Sequence, residues 1–348
     1  MMGFINAYIV RVYKEFKNEI LVLPSKTIVV LFCLILFLIP LMTSEPYILR
    51  ILILASIFAI FAASWDLLSG FTGQINFGHA LFFGVAAYTS ALLNLYVGLP
   101  PWLTIPIGAV AAVLAGLIIG VPCLRLRGPY LALATLAFPL ILTGIIYIFP
   151  DITGGELGVS GIDPLSGSRL IDYYIAVPVM IGLGFIMWKI TGSKTGIIFH
   201  AIREDELAVR ASGINTTRYK LLAFCLSGLF AGIAGGLYVH FMRIAGPTST
   251  LALMVSFQAI IWAIFGGIAT IYGPIAGVFI LVPLIELLRV LPEIRMLLFA
   301  IVVLIVLLFM PEGITIWVRD KIEKECPRCK VRNIATRKIC RICGADLD

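Results

Sequence analysis

The chain has 348 residues, 61% of them hydrophobic and only 13% charged, with a formal net charge of +7. Soluble globular proteins run at roughly 45–50% apolar and about 25% charged, so this composition excludes an ordinary water-soluble enzyme. Only lipid accommodates so much apolar surface, and a mean hydropathy of +1.06 fits an all-α polytopic membrane protein.

The first 26 residues mix Arg11, Lys14, Lys17 and Lys26 with Glu15 and Glu19. No small-residue cleavage pattern follows, so this segment is expected to be retained ahead of the first membrane helix. A span needs ~20 mainly apolar residues. That criterion predicts ten helices, at 24–42, 46–65, 79–97, 102–122, 130–149, 173–190, 221–242, 253–270, 274–291 and 295–311. Glycines at four-residue spacing (Gly116 and Gly120; Gly228, Gly232 and Gly236; Gly273 and Gly277) mark faces suited to close helix approach in lipid.

Two Gly-rich breaks interrupt the apolar pattern. "GFTGQINFGHA" holds Gly73, Gln74, Gly78 and His79, and "DITGGELGVSGI" holds Gly154 and Gly155. Backbone groups and small polar side chains at these breaks are the expected pathway or conformational residues. The ionisable residues within spans are Asp66, His79, His240, Glu286 and Arg289. Most lie near span ends, where long side chains reach the interface, and structural roles are expected for His240, Glu286 and Arg289. No acidic or histidine relay stands near a midplane, which argues against an ion-coupled secondary carrier.

Most of the 26 Lys and Arg fall on one side of the predicted topology. These are the N-terminal cations, Arg125 and Arg127, the group Lys189, Lys194, Arg203, Arg210, Arg218 and Lys220, and the tail from Arg319. Cytoplasmic loops carry the positive excess, so both termini and the loop 191–220 are expected inside. In this loop, "FHAIREDELAVRASGINTTRYK", residues 199–212 read as one short helix stopped by Gly213. Ala201, Ala208 and Ser212 share a narrow sector flanked by Glu204 and Asp205, with Arg203, Glu206 and Arg210 opposite. Charge nearly all round argues against a helix lying on lipid. The small-residue face suits another protein; a merely solvated loop helix is the other reading of the spacing. "TGSKTG" at 191–196 lacks the glycine directly before Lys194 and the preceding strand that a phosphate-binding loop needs. Any ATPase is therefore expected on another polypeptide, and the chain itself is not expected to be an enzyme.

The tail "CPRCKVRNIATRKICRICGADLD" sets Cys326-x2-Cys329 and Cys340-x2-Cys343 ten residues apart, with Gly344 following. Two such knuckles supply four thiolates for tetrahedral zinc. Lys330, Arg332, Arg337, Lys338 and Arg341 offset the excess negative charge. A pair of disulfides is the alternative, disfavoured by reducing conditions inside the cell. So short a domain, residues 320–348, is expected to depend on its metal to fold, and a four-Cys site to be structural.

Five blocks in order resemble permeases of the branched-chain amino-acid ABC importer family, LivM type. They are "GFTGQINFGHALFFGVAAYTSALL" (70–93), "RGPYLALATLAF" (127–138), "TGGELGVSGI" (153–162), "AIREDELAVRASGINTTRYKLLAFCLSGLFAGIAGGLY" (201–238) and "FGGIATIYGPIAG" (265–277). Together they cover roughly residues 45–312. The resemblance implies a ten-helix fold of the type II importer class also used for vitamin B12, over 27–312. It implies two cytoplasmic ATPase subunits, a second related permease, an extracytoplasmic substrate-binding protein, and ATP used only through those partners. In such importers the loop helix docks in an ATPase groove, and ATP-driven closure switches the permease between outward and inward access. Glu206, Ala208 and Gly213 match the family's Glu-x-Ala…Gly pattern, with Ala208 small enough to seat and Gly213 ending the helix; Glu204 and Asp205 flank it. Asp66 stands where a neutral polar residue is usual and Asn76 where Ser is common, so both are expected to affect the pathway lining. The family usually lacks the cysteine tail. The expectation is a multi-pass subunit in a prokaryotic cell membrane, in contact with lipid and not with nucleic acid. Urea, short amides and other small polar solutes are alternative cargoes. A secondary transporter or channel would have no need of the "EDELAVRASG" helix, and a zinc-ribbon adaptor no need of ten spans.

Overall fold

The computed structural model describes residues 24–43, 45–123 and 129–347. The N-terminal segment up to residue 23, with Arg11, Lys14 and Lys17, and the Arg125–Arg127 pair lie outside the described residues. Helices follow the apolar runs: α1 Pro24–Met42, α2 Pro46–Trp65, α3 Ala80–Val97, α4 Pro101–Cys123, α5 Pro129–Ile148 and α6 Arg169–Thr191. Two short helices, α7 Lys194–Glu204 and α8 Glu206–Ala211, precede α9 Thr216–Met242, α10 Leu253–Gly266, α11 Tyr272–Leu287, α12 Arg295–Phe309 and α13 Ile314–Ile322. Proline opens α2, where its missing N–H costs nothing, and Gly98 stops α3 in the left-handed conformation. Among the described residues nine helical stretches are long and apolar enough to cross a membrane, and Thr27–Met42 is a shorter apolar one. The protein is an all-α polytopic membrane protein.

The described chain forms two compact units, one of residues 45–313 and one of residues 24–43 with 314–347. In the first, α3, α4 and α9 pack most extensively on one another, and α11, α6, α9 and α10 pack on α2. The spans containing α2 and α9 are 78% and 72% buried within the chain, whereas α12 contributes no buried residue. Glycine permits the tightest of these contacts. A Cβ on Gly232 of α9 would lie 2.8 Å from the Cα of Ala109 on α4. Lipid tails are as apolar as the helices, so this intimate packing substitutes for a hydrophobic drive.

Several boundaries differ from the sequence expectation. α6 starts four residues earlier, α9 starts at Thr216, and α10 stops at Gly266 instead of 270. Two-residue strands β1 Val159–Ser160 and β2 Ile244–Ala245 pair antiparallel, Val159 opposite Ala245. They join the loop after α5 to the end of α9; pieces this short carry no legible periodicity. In the second unit, α13 leads into β3 Glu323–Glu325, paired with β4 Arg332–Ile334. Glu323 accepts a hydrogen bond from the Ser25 backbone N–H at 3.0 Å, at the start of α1.

Candidate functional site

The loop between α6 and α9 is two helices rather than the single helix its spacing predicts. Asp205 sits extended (φ −152°, ψ 99°), and its Oδ1 accepts the N–H groups of Leu207 at 2.8 Å and Ala208 at 3.1 Å. It is an N-cap, which satisfies donors a helix start leaves open. Ala201 on α7 therefore does not continue a face with Ala208 on α8. Glu206 turns toward α9: Oε2 accepts from Lys220 Nζ at 2.7 Å, and Oε1 from Arg210 Nη2 at 2.9 Å and Thr216 Oγ1 at 3.2 Å. Partial burial pushes its carboxyl up, but the Lys220 hydrogen bond and charge, with Thr216 and Arg210, hold it below the ordinary carboxylate value. Val209 is buried, while Glu204, Leu207 and Ala208 face outward, with Leu207 62% exposed. Gly213 follows with φ 83°, and Ile214 N–H reaches back to Val209 O at 3.4 Å. Leu207 did not emerge from the spacing argument; an exposed leucine among charges was its signal.

The Gly73–His79 break divides its residues between loop and core. Gly73 lies beside Arg203, whose Cγ would be 3.3 Å from an added Cβ, and Gln74 Nε2 donates to Thr72 Oγ1 at 2.9 Å and Lys220 O at 3.3 Å. Arg203 Nη1 donates to Gly70 O at 2.6 Å, and His200 packs its ring on Phe71. Gly78 rests on the Thr135 carbonyl of α5 with no room for a side chain. His79 is fully buried, with Nε2 2.9 Å from Ser64 Oγ, and its ring stacks on Phe61 at 4.7 Å. Ser64 Oγ also lies 2.7 Å from Phe61 O. Asn76 Oδ1 caps Gly78 N–H at 2.9 Å, and its carbonyl accepts from Trp65 Nε1 at 2.7 Å.

Gly154 and Gly155, both at positive φ, lie past the far end of α5 beside β1. The two Gly-rich breaks therefore do not meet. At that far end His240 joins Thr104 Oγ1 at 2.7 Å to Asp163 O at 2.8 Å, and Asn94 exchanges two hydrogen bonds with Asp163. Glu286 pairs with Arg289 at 2.9 Å and accepts from Tyr47 OH at 2.9 Å. These are fastenings between segments.

Asp66 is fully buried in a π-helical turn, Asp66–Gly70, that extends α2. Its Oδ1 accepts Ala269 N–H at 2.6 Å and its Oδ2 accepts Thr270 and Ile271 N–H at 3.1 Å each. The expected effect on a pathway lining is thus replaced by a cap over the turn between α10 and α11. That cap also explains why α10 ends early.

In the tail, Cys326, Cys329, Cys340 and Cys343 place their sulfurs within 4.8 Å of one another, with Cys326–Cys343 and Cys329–Cys340 at 3.5 Å. Zn–S bonds of 2.3 Å in a tetrahedron put sulfurs about 3.8 Å apart, so the four residues fit a bound metal. The knuckles repeat: Lys330 N–H returns to Cys326 O as Gly344 N–H does to Cys340 O, with φ 58° and 67°. Backbone N–H groups of Cys343 and Ile342 lower Cys340 to about 6, whereas Cys329, despite the Val331 N–H, is pushed up to about 12 among the other sulfurs. Four clustered thiols resist full ionisation until a cation joins them. Buried Asn333 supports the site, with Nδ2 3.6 Å from Cys340 Sγ and Oδ1 accepting Arg341 N–H.

A family profile described as the permease component of branched-chain amino acid transport systems matches residues 47–310. The chain is 31% identical over 314 residues to the high-affinity branched-chain amino acid transport system permease protein LivM of Escherichia coli, covering 82% of this chain and 72% of that protein. It is 25% identical to the guanosine ABC transporter permease protein NupQ of Bacillus subtilis, over 65% of this chain and 79% of that one. It is 26% identical to the ribose import permease protein RbsC of Escherichia coli, over 51% and 60%. No solved structure matches the chain.

Proposed function

Because the chain belongs to the permease family of branched-chain amino acid transport systems, we propose that it forms part of the translocation pathway of an ATP-driven importer for branched-chain amino acids. The observation that carries this reading is the loop of α7 and α8. It presents Leu207 and Ala208 outward on a short helix whose own charges are spent internally, Asp205 on capping and Glu206 on Lys220, Arg210 and Thr216. A rigid ridge with one apolar knob and one small residue is suited to seating in a groove of an ATPase subunit. Two such subunits supply the energy, a second related permease completes the pathway, and an extracytoplasmic binding protein delivers the solute. Both termini and the loop lie in the cytoplasm. The likeness to guanosine and ribose permeases supports a second cargo reading, a nucleoside or sugar, at lower identity. The four tail cysteines would hold zinc, which as a closed tetrathiolate site supplies folding free energy and no catalysis.

Affinity purification from native membranes tests the reading. Wild type is expected to bring down ATPase subunits and a second permease, and Ala208→Arg to lose the ATPases by blocking the seat. Uptake of labelled leucine, isoleucine and valine against guanosine and ribose, in the reconstituted complex, identifies the cargo. A chain that purifies alone and transports without ATP would overturn the importer reading.

A further inference from the structure

We propose that Arg203, the Gly70 carbonyl and Asp66 form a positioning relay that carries movement of the coupling loop to the turn between α10 and α11. The proposal rests on the loop's coupling role and extends it to the receiving element. α7 meets the end of the π turn through Arg203 Nη1, 2.6 Å from Gly70 O. Gly70 lies near the end of its helix, where carbonyls lack intrahelical donors and a cation is favoured. π turns interrupt helices frequently at functional positions.

Gly70 packs directly against the Asp66 carboxylate. An added Cβ at Gly70 would overlap Asp66 Oδ1 and lie 2.9 Å from Ala269 N. The Asp66 carboxylate in turn holds three successive N–H groups, of Ala269, Thr270 and Ile271, more than 200 residues along the chain. Ala269 and Ile271 stand at φ 60° and 58°. Such φ values are costly for residues with a Cβ, most of all a β-branched one, so the turn depends on the carboxylate that organises it. The turn's glycines are also close-packed: Gly313 abuts Gly267, and Gly266 abuts the Gly273 carbonyl. A short contiguous path thus runs from the loop to a strained helix break, which is the kind of element that two arrangements can bias.

The experiment compares wild type, Arg203→Met, Asp66→Ala and the double variant as full complexes in proteoliposomes, measuring solute transported per ATP hydrolysed and ATPase capture. Arg203→Met and Asp66→Ala are each expected to keep ATPase capture while transport per ATP falls about fivefold or more, the low end of coupling between sites. The double variant is expected to be no worse than the more severe single, because one broken link leaves nothing for the second to break. Arg203→Lys is expected to restore part of the ratio. Should Asp66→Ala fail to fold, Asp66→Asn, which keeps the shape and one acceptor, takes its place in the cycle. An unchanged ratio in Arg203→Met, or losses that multiply in the double variant, overturns the relay. Loss of the ATPases from Arg203→Met also overturns it, making Arg203 a docking contact. Failure of the importer reading is separate: wild type itself would then transport without ATPase partners.

Discussion

Glu206 fastens α8 to the start of α9 through two donors, Lys220 and Thr216, and its carboxyl lies below the ordinary value of 4.5 because these, together with Arg210 of α8, outweigh the cost of burial. A lowered folded value means that the bond contributes stability above the unfolded value and loses it as pH falls through the folded one. Screening by solvent limits the contribution to about 0.5–1 kcal/mol. Hydrogen exchange of residues 206–216, corrected for intrinsic rates, is expected to show protection that falls off below about pH 4.5 in wild type. Glu206→Gln is expected to show lower protection at neutral pH and no such fall. A variant as protected as wild type would mean that Val209 and the helix cap hold α8 without the ion network. The inward turn of Glu206 was not legible from the motif it matches, because Lys220 lies 14 residues on.

At the scale of helices, the glycines at four-residue spacing mark real close approaches, which a glycine outside that pattern need not make. Gly232 sits against the Ala109 backbone, whereas Gly144 on α5 has nothing within 4 Å. Gly232→Leu is expected to overpack the α4–α9 contact at a cost of about 1–3 kcal/mol, read as a lower melting temperature in detergent. Gly144→Ala is expected to be neutral or to stabilise by up to about 1 kcal/mol through helix propensity. Equal behaviour of the two would show that backbone approach does not decide stability here. Helix existence was readable from the length of apolar runs. The break at Asp205 was missed because its cap, two N–H groups on one carboxylate oxygen, competes with helix continuation in a way that charge periodicity does not report.

For the whole molecule, the family match covers residues 47–310, and the cysteine knuckles stand in the other compact unit. Two short strands and four thiols bury too little apolar surface to order the tail alone, so its fold is expected to depend on a bound metal. Purified protein is expected to carry about one zinc per chain, the number a single four-thiolate site holds. Chelation is expected to release it and to abolish protection of residues 323–347, while the helices of 45–313 keep their melting temperature. Simultaneous unfolding of both units on chelation would show that the membrane unit depends on the metal, and a metal-free, fully protected tail would rule out the zinc assignment.

Composition and local spacing by themselves determined the membrane character, the approximate spans and the four-cysteine cluster, because apolar run length and Cys-x2-Cys geometry are properties of neighbouring residues. Only the tertiary structure decided that Asp66 caps a turn more than 200 residues away, that Gly73 and Gln74 lie with the loop of α7 and α8 while Gly154 and Gly155 lie at the other end of α5, and that β1 meets β2. Each of these depends on which distant backbone groups are left without partners when the helices pack, and a buried N–H must find an acceptor wherever the fold brings one.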